Sequence, residues 1–393
     1  MIVLVSNIGT TTFKFKLFDM AKGESVLAEG AADRIGQGKS AWWMTAGASP
    51  KVSGTTDLAD HAAAIELLLG ELTKAGVIKS IDEVQAIGFK AVHGGPLSVV
   101  RVDERVLRVM RDFSDVTPLH NPPYIAAMEA FAKRLPKVPQ VAAFETSFHQ
   151  TIPLKRQAYA IPYEWTEKLG IRRYGFHGAS HRYIATRMKE LAPSVRKIVN
   201  LHLGGSCSVC AIEDGKSVAN SFGMTTQTGI PHAARVGDFD AFAMMKLLKQ
   251  GIDLDTIWKK LGKESGMLGM AGSQDMRDVE TKAAAGDARA KLAVEVFVEA
   301  CRHYLGAYLV VLNGADAITF TGGIGQNGSA IRAAILEGME WAGVRLDPEK
   351  NKTTRGNIEG RLDDGQGRVQ IWMLPTNEEL IVARQTVATL TGT

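Results

Sequence analysis

Apolar and polar residues alternate at the start of the chain and again near its middle, and the two stretches follow the same order. Ile2 to Met20 reads as an apolar strand, a Gly9 turn, and hydroxyls running into alternating Phe and Lys, the pattern of a half-buried hairpin. Alternation places Thr10, Thr12, Lys14 and Lys16 on one face and Thr11, Phe13, Phe15 and Leu17 on the other, so one side is core and the other a row of hydroxyls and ammoniums suited to phosphate. Lys197 to Gly215 repeats the scheme, with Gly205-Ser206-Cys207-Ser208-Val209 matching Gly9-Thr10-Thr11-Thr12-Phe13. Such a repeat opening each half predicts a duplicated domain, with a phosphate hairpin in each half and a cleft between them.

Between the hairpins, Ser25 to Ala31 and Ala41 to Val52 read as further strands of the first sheet, and Leu58 to Ala75 as a helix ended by Gly76. Val84 to Gly95 is a buried strand that turns polar, so Lys90, His93 and Gly94-Gly95 are either at a carboxyl end where open α/β sheets bind ligands or in a plain surface turn with a stray histidine. Helical spacing covers Glu104 to Asp112 and Ile125 to Arg134, and Thr117 to Pro123 between them reads as a proline-fixed loop carrying His120 and Asn121. Gln140 to Pro153 is a short apolar strand running into Glu145, which is either a helix cap or a carboxylate placed like Lys90 at a strand end. Gly170 to Tyr183 packs Arg172, Arg173, His177, His181 and Arg182 among glycines and aromatics, the make-up of a site more than of a solvated loop. His181 stands four residues after His177 without a carboxylate to complete a zinc pattern, and reads as structural.

In the second half, Phe222 to Asp240 is a Gly/Thr loop leading to Arg235 and a helix capped near Asp238, and Gly272 to Glu280 sets Asp275 and Arg277 beside a helix start. A long helix, Arg289 to Leu312, precedes Ala317 to Arg332: buried strand, glycine loop, helix, with amides free for a ligand. The tail is a last strand and a helix beginning near Asn377, with Glu378 and Glu379 in its first turn, where plain helix-end charge is the simplest role.

Composition narrows the functional classes. A chain of 393 residues exceeds one ordinary core, so two domains are expected. Its 40 glycines stand above the usual share of about 7%, implying tight turns near ligands. A net charge of +4 without any Lys/Arg block excludes a nucleic-acid footprint and favours small anions. The first residues lack a basic leader and read as a strand, not a signal peptide. Leu292 to Leu312 is interrupted by Glu295, Glu299, Arg302 and His303, so no membrane partner is expected. Three cysteines suit a reducing, cytoplasmic compartment. Cys207 and Cys210 fall on opposite faces of a strand, against zinc or redox use.

The hairpin, VHGG, PLHNPP, FETSFHQTIP, RRYGFHGASHRY, HLGGSCS, DMRD, FTGGIGQN and TNEEL, in this order over nearly the whole chain, resemble the acetate kinase family. The resemblance implies an α/β, duplicated actin-like (ribonuclease H-like) two-domain fold with a nucleotide cleft between domains, divided as 1–148 plus 379–393 and 149–378. It implies a homodimer that passes the γ-phosphoryl of ATP, with Mg²⁺, to a short carboxylate, giving ADP and an acyl phosphate, and the reverse. By the same resemblance Glu145, His177 and Arg235 are catalytic, and Asn7 and Glu378 are the metal positions. Lys90, Val92, Leu119, Phe176 and Thr226 would meet the acceptor. Lys14, His202, Leu203, Gly204, Gly205, Ser206, Asp275, Met276, Arg277, Gly323, Ile324, Gly325, Gln326 and Asn327 would meet the nucleotide.

Several positions depart from the family's pattern. Lys90 stands for Arg, replacing a bidentate grip by a point contact. Glu145 stands for Asp, moving a carboxylate by about a methylene. Gly205 removes an Asn, Thr226 and Gln227 replace Pro and Leu beside the acceptor's methyl, and Gln326 replaces Glu. Three readings stay open: the ordinary carboxylate kinase, one with an altered acceptor (a more polar carboxylate) or donor such as pyrophosphate, and a non-catalytic binding relative.

Overall fold

The structure, a computed structural model, describes residues 1–47 and 49–392. It forms two compact units, Met1–Gln150 with Asn377–Thr393, and Thr151–Thr376.

The first unit is built on eight strands: β1 (Ile2–Ile8), β2 (Thr12–Asp19), β3 (Ser25–Asp33), β4 (Lys39–Ala46), β5 (Val52–Asp57), β6 (Ala86–Ala91), β7 (Val99–Arg101) and β8 (Gln140–Phe144). They lie in the order β5-β4-β3-β2-β1-β6-β8-β7. The pairs from β1 to β5 are antiparallel, whereas β1, β6 and β8 run parallel. The hairpin register sets Asn7 opposite Lys14, and the alternation holds: Phe13, Phe15 and Leu17 are buried and Lys14 is exposed.

Helices His61–Lys74 and Asn121–Arg134 bury Leu68, Leu72, Tyr124, Met128 and Phe131 with Phe13 and Phe89. The C-terminal helix Glu378–Thr391 sets Val382 and Ala383 among Val3, Val5 and Ala86. That approach requires glycine at position 88, where a Cβ would come within 2.3 Å of the Thr386 hydroxyl.

The second unit has β9 (Lys197–Leu203), β10 (Cys207–Glu213), β11 (Lys216–Asn220), β12 (Ala317–Thr321), β13 (Gly360–Arg361) and β14 (Gln370–Met373), in the order β11-β10-β9-β12-β14-β13. Its first three strands are antiparallel and β9, β12 and β14 are parallel, so it repeats the arrangement of β3-β2-β1-β6-β8. Helix Ala288–Val311 buries Phe297, Cys301 and Leu305 with Leu201 and Val209. Among the described residues no helix is long and apolar enough to cross a membrane.

The structure corrects four local expectations. Ala41 to Val52 is not one strand: β4 starts at Lys39 and a turn separates it from β5. The helix expected from Ile125 starts at Asn121, four residues before the apolar spacing shows it, because Pro122 and Pro123 fit its first turn, where no backbone donor is needed. The cap after Arg235 is Asp240, whose side chain accepts from the Phe242 amide; Asp238 instead accepts from the Gly229 amide and the Tyr304 hydroxyl. Gly322-Gly323-Ile324-Gly325 is not a free loop but the opening of a helix, Gly322–Asn327. Gly322 has φ +78° with the Leu203 carbonyl 2.6 Å from where a Cβ would sit, so only glycine serves there.

Candidate active site

In the first unit the parallel strands β6 and β8 end side by side, with Lys90 paired to Ala143 and the Glu145 amide donating to the Ala91 carbonyl at 2.8 Å. The two side chains therefore leave neighbouring carboxyl ends. The Lys90 ammonium lies 3.6 Å from Glu145 Oε1 and in direct contact with Glu378 Oε2, from the first turn of the C-terminal helix. Burial alone would lower the lysine's pKa, but Glu378, Glu145 and Glu379 together outweigh it and hold the ammonium well above its ordinary range. Thr146 beside Glu145 buries a hydroxyl that has no partner among the described residues.

Asn7 is the last residue but one of β1, the strand beside β6, and Asn7 Oδ1 accepts from the Tyr124 hydroxyl at 3.4 Å. Asn7, Lys14 and Glu379 line a small cavity with Lys16, Glu29 and Trp43. Asn7 and Glu378, the expected metal positions, offer oxygen donors, the class a hard divalent cation takes, and Glu378 already holds a cation in the form of Lys90. Of the apolar residues expected to meet the acceptor in this unit, Val92 is half-buried and Leu119 is 42% exposed. His93 is a core residue, its Nδ1 accepting from the Gly95 amide.

The second unit carries the other cluster. His177 caps the helix Gly178–Leu191 in the left-handed region, φ 57°, a conformation for a non-glycine residue that its surroundings must hold. Its ring lies 4.2 Å from that of His202 and 5.2 Å from that of Phe222. Phe176 is buried edge-on against Phe222. Arg235 donates to the Thr226 carbonyl at 2.6 Å, and burial lowers its pKa. Gln227 is exposed, with its amide beside Gly262.

Gly204, Gly205, Asp275, Met276, Arg277, Gly323, Ile324 and Asn327 line one cavity of about 780 Å³ with Ala233, Gln274, Glu280 and Gly328. Asp275 caps the helix Met276–Ala284, and its contacts with Arg277 pull its carboxyl down to about 2. At Gly205 and Gly323 a Cβ would meet nothing within 4 Å, so the backbone is open to the cavity there. His202, Leu203, Ser206, Gly325 and Gln326 lie outside its lining: Leu203 is fully buried, and Gly325 and Gln326 give their carbonyls to Arg332.

Residues that the sequence reading passed over are Ala233, Gln274, Glu280 and Gly328 of the cavity, and Ser208, Asn200 and Thr319 behind His177. Two signals pointed to the latter group: Ser208 is one of the repeated hydroxyls of the second hairpin, and Asn200 and His202 alternate on a strand that is otherwise apolar after its first residue, Lys197.

Two α/β units of one strand order, each with polar groups at its strand ends, define the actin-like class of two-domain folds. The match to known proteins is as full. A model of the acetokinase family fits residues 2–384. The acetate kinase of Carboxydothermus hydrogenoformans is 40% identical over 393 residues, 98% of each chain, and that of Dictyoglomus turgidum 42% over 394 residues, 98% of this chain and 96% of its own. The solved acetate kinase of Porphyromonas gingivalis superposes with a TM-score of 0.91 at 35% identity over 99% of both chains. A propionate kinase of Francisella tularensis gives 0.91 at 33%, over 98% of this chain and 99% of its own. The chain belongs to the acetokinase family, phosphotransferases that use a carboxylate acceptor.

Proposed function

We propose that this protein moves the γ-phosphoryl of ATP to a short-chain carboxylate such as acetate, forming an acyl phosphate and ADP, and catalyses the reverse. The observation that carries this reading is the buried, firmly charged Lys90 beside Glu145 at the ends of two parallel strands, a counter-charge fixed where a small carboxylate can be held.

A carboxylate oxygen attacks the γ-phosphorus in line while the bond from phosphorus to the bridging oxygen of ADP breaks. The acceptor is already ionised at neutral pH, so no general base is needed, and Glu145 acts by orienting Lys90 and the acceptor. His177 and Arg235 meet the charge that spreads over the phosphoryl oxygens. Buried and desolvated as it is, Arg235 exerts its charge in a medium of lowered dielectric. The cavity from Gly204 to Asn327 holds the nucleotide, with the open backbone at Gly205 and Gly323 admitting it closely and His202, Leu203, Ser206, Gly325 and Gln326 supporting its walls.

Asn7 and Glu378 would hold Mg²⁺, which when bound neutralises phosphate charge, and Lys14 opposite Asn7 would add a further positive group. Among the described residues no group of three or more His, Cys, Asp or Glu is arranged to hold a metal ion, so an ion at Asn7 and Glu378 would complete its shell with water and phosphate oxygens. Val92 and Leu119 of the first unit, and Phe176 and Thr226 of the second, are the residues we assign to the acceptor's alkyl group. Exposed Phe242, Met245 and Trp258 on neighbouring helices support assembly into a homodimer, and the three buried thiols suit a cytoplasmic location.

A hydroxamate assay over a panel of short carboxylates, with ATP and pyrophosphate each as donor, tests the reading. Acyl hydroxamate is expected with ATP and acetate or propionate. No product with any acceptor from either donor would leave only a binding protein.

A further inference from the structure

The face of the second sheet covered by the helix Gly178–Leu191 is polar in its interior. Ser208 on β10 lies opposite His202 on β9, and Thr319 on β12 lies opposite Asn200. His181, one turn along the helix from His177, drops into the same layer. Ser208, His181, Asn200 and Thr319 are each 0% exposed, and buried polar groups of this kind are costly unless every one is paired.

They are paired in a line with one direction. The Thr319 hydroxyl donates to Asn200 Oδ1 at 2.7 Å, which leaves Asn200 Nδ2 to donate to His181 Nδ1 at 2.8 Å. An accepting Nδ1 puts the His181 proton on Nε2, which meets Ser208 Oγ at 2.8 Å. The serine hydroxyl, having accepted from His181, donates onward to His177 Nδ1 at 2.8 Å. His177 Nδ1 is thereby an acceptor, and its proton belongs on Nε2.

We infer that Ser208, His181, Asn200 and Thr319 are positioning residues that fix His177 as the Nε2–H tautomer, so that it presents an N–H donor to the transferring phosphoryl. The inference rests on the proposed phosphotransfer for its kinetic consequence but not for the tautomer itself. Thr319 matters because it anchors the line at Asn200 Oδ1: without its hydroxyl that oxygen loses its donor, the amide is free to turn over, the sense of every following bond then reverses, and the His177 proton moves to Nδ1, leaving Nε2 without a hydrogen to donate. The same anchoring holds His177 in its left-handed backbone conformation.

The test combines ¹⁵N-histidine spectra of the resting full-length protein with steady-state kinetics of wild type, Thr319→Val, Ser208→Ala and Ser208→Thr. Wild type is expected to show His177 protonated at Nε2 and bare at Nδ1. Thr319→Val, nearly isosteric and four hydrogen bonds away, is expected to give a mixture of tautomers and lower kcat about tenfold with the KM for ATP within about threefold. Ser208→Ala should do the same or worse, and Ser208→Thr, which keeps the hydroxyl, should restore both. If Ser208→Ala does not fold, Thr319→Val decides. A wild-type His177 protonated at Nδ1, or variants with unchanged spectra and kcat, would overturn the inference. Wild-type protein without any hydroxamate formation would instead sink the proposed activity, and the nitrogen spectra alone would then judge the hydrogen-bond line.

Discussion

Lys90 and Glu378 touch within the first unit although they lie 288 positions apart in the chain (378 − 90). The C-terminal helix returns to the first sheet and delivers its first-turn carboxylate to the end of β6, where Glu145 shares the same ammonium. A lysine held by two carboxylates inside a protein is costly to remove and cheap to keep charged.

Lys90→Met is therefore expected to destabilise the protein by about 3 kcal/mol, the usual cost of leaving buried charges without a partner. Thermal melting reads this as a fall of the order of 10 °C. The pKa of Lys90 is raised above 10.5 in the folded state, so its contribution is fully present below 10.5 and is lost only as pH climbs past that value. The gap between wild type and variant should accordingly be constant from pH 7 to 9. A gap that closes within that range would show that the ammonium is not held by the carboxylates.

Arg235→Ala should lower kcat by about 10² or more while changing the KM for ATP little, because the guanidinium acts on charge that develops during transfer. Initial-rate kinetics with ATP varied at saturating acceptor separate the two constants. Unchanged kcat with a raised KM would reassign Arg235 to ground-state binding.

Gly205 has open space where a Cβ would project and lines the large cavity. Gly205→Asn should therefore fold with wild-type stability and place a side-chain amide toward the nucleotide. One added hydrogen bond to a charged group is worth about 1.5 kcal/mol, so the Kd for ATP measured by calorimetry should fall roughly tenfold. Weaker binding at undiminished melting temperature would show that the space is needed by the nucleotide itself.

His232 is buried, with Nδ1 accepting from the Cys207 amide. Burial first, and then Arg235, hold its pKa well below 6.5. Unfolding lets it protonate, so stability is full above pH 6.5 and falls as pH drops below that value, by up to about 1.4 kcal/mol per pH unit. His232→Gln should flatten the melting temperature between pH 6.5 and 5, whatever it costs at neutral pH. Wild type and variant losing stability in parallel over that window would place the acid sensitivity elsewhere.

Local physics wrote much of this protein into the sequence. Alternation of Phe13, Phe15 and Leu17 with Lys14 and Lys16 fixed the face and register of the first hairpin, since a slip by one residue would bury the lysines. Short polar residues before apolar periods marked the helix starts at Asp275 and Asn377, and the repeated glycine turns marked two like sheets. The start at Asn121 escaped because two prolines read as a loop wherever the turn around them is not known. What tertiary structure alone decided is which strand ends adjoin. Parallel neighbours such as β6 and β8, or β9 and β12, are joined by long connections whose pairing no local pattern specifies. The meeting of Lys90, Glu145 and Glu378, and the line from Thr319 to His177, depend on that pairing. Their partners touch in space but stand tens to hundreds of residues apart in the chain.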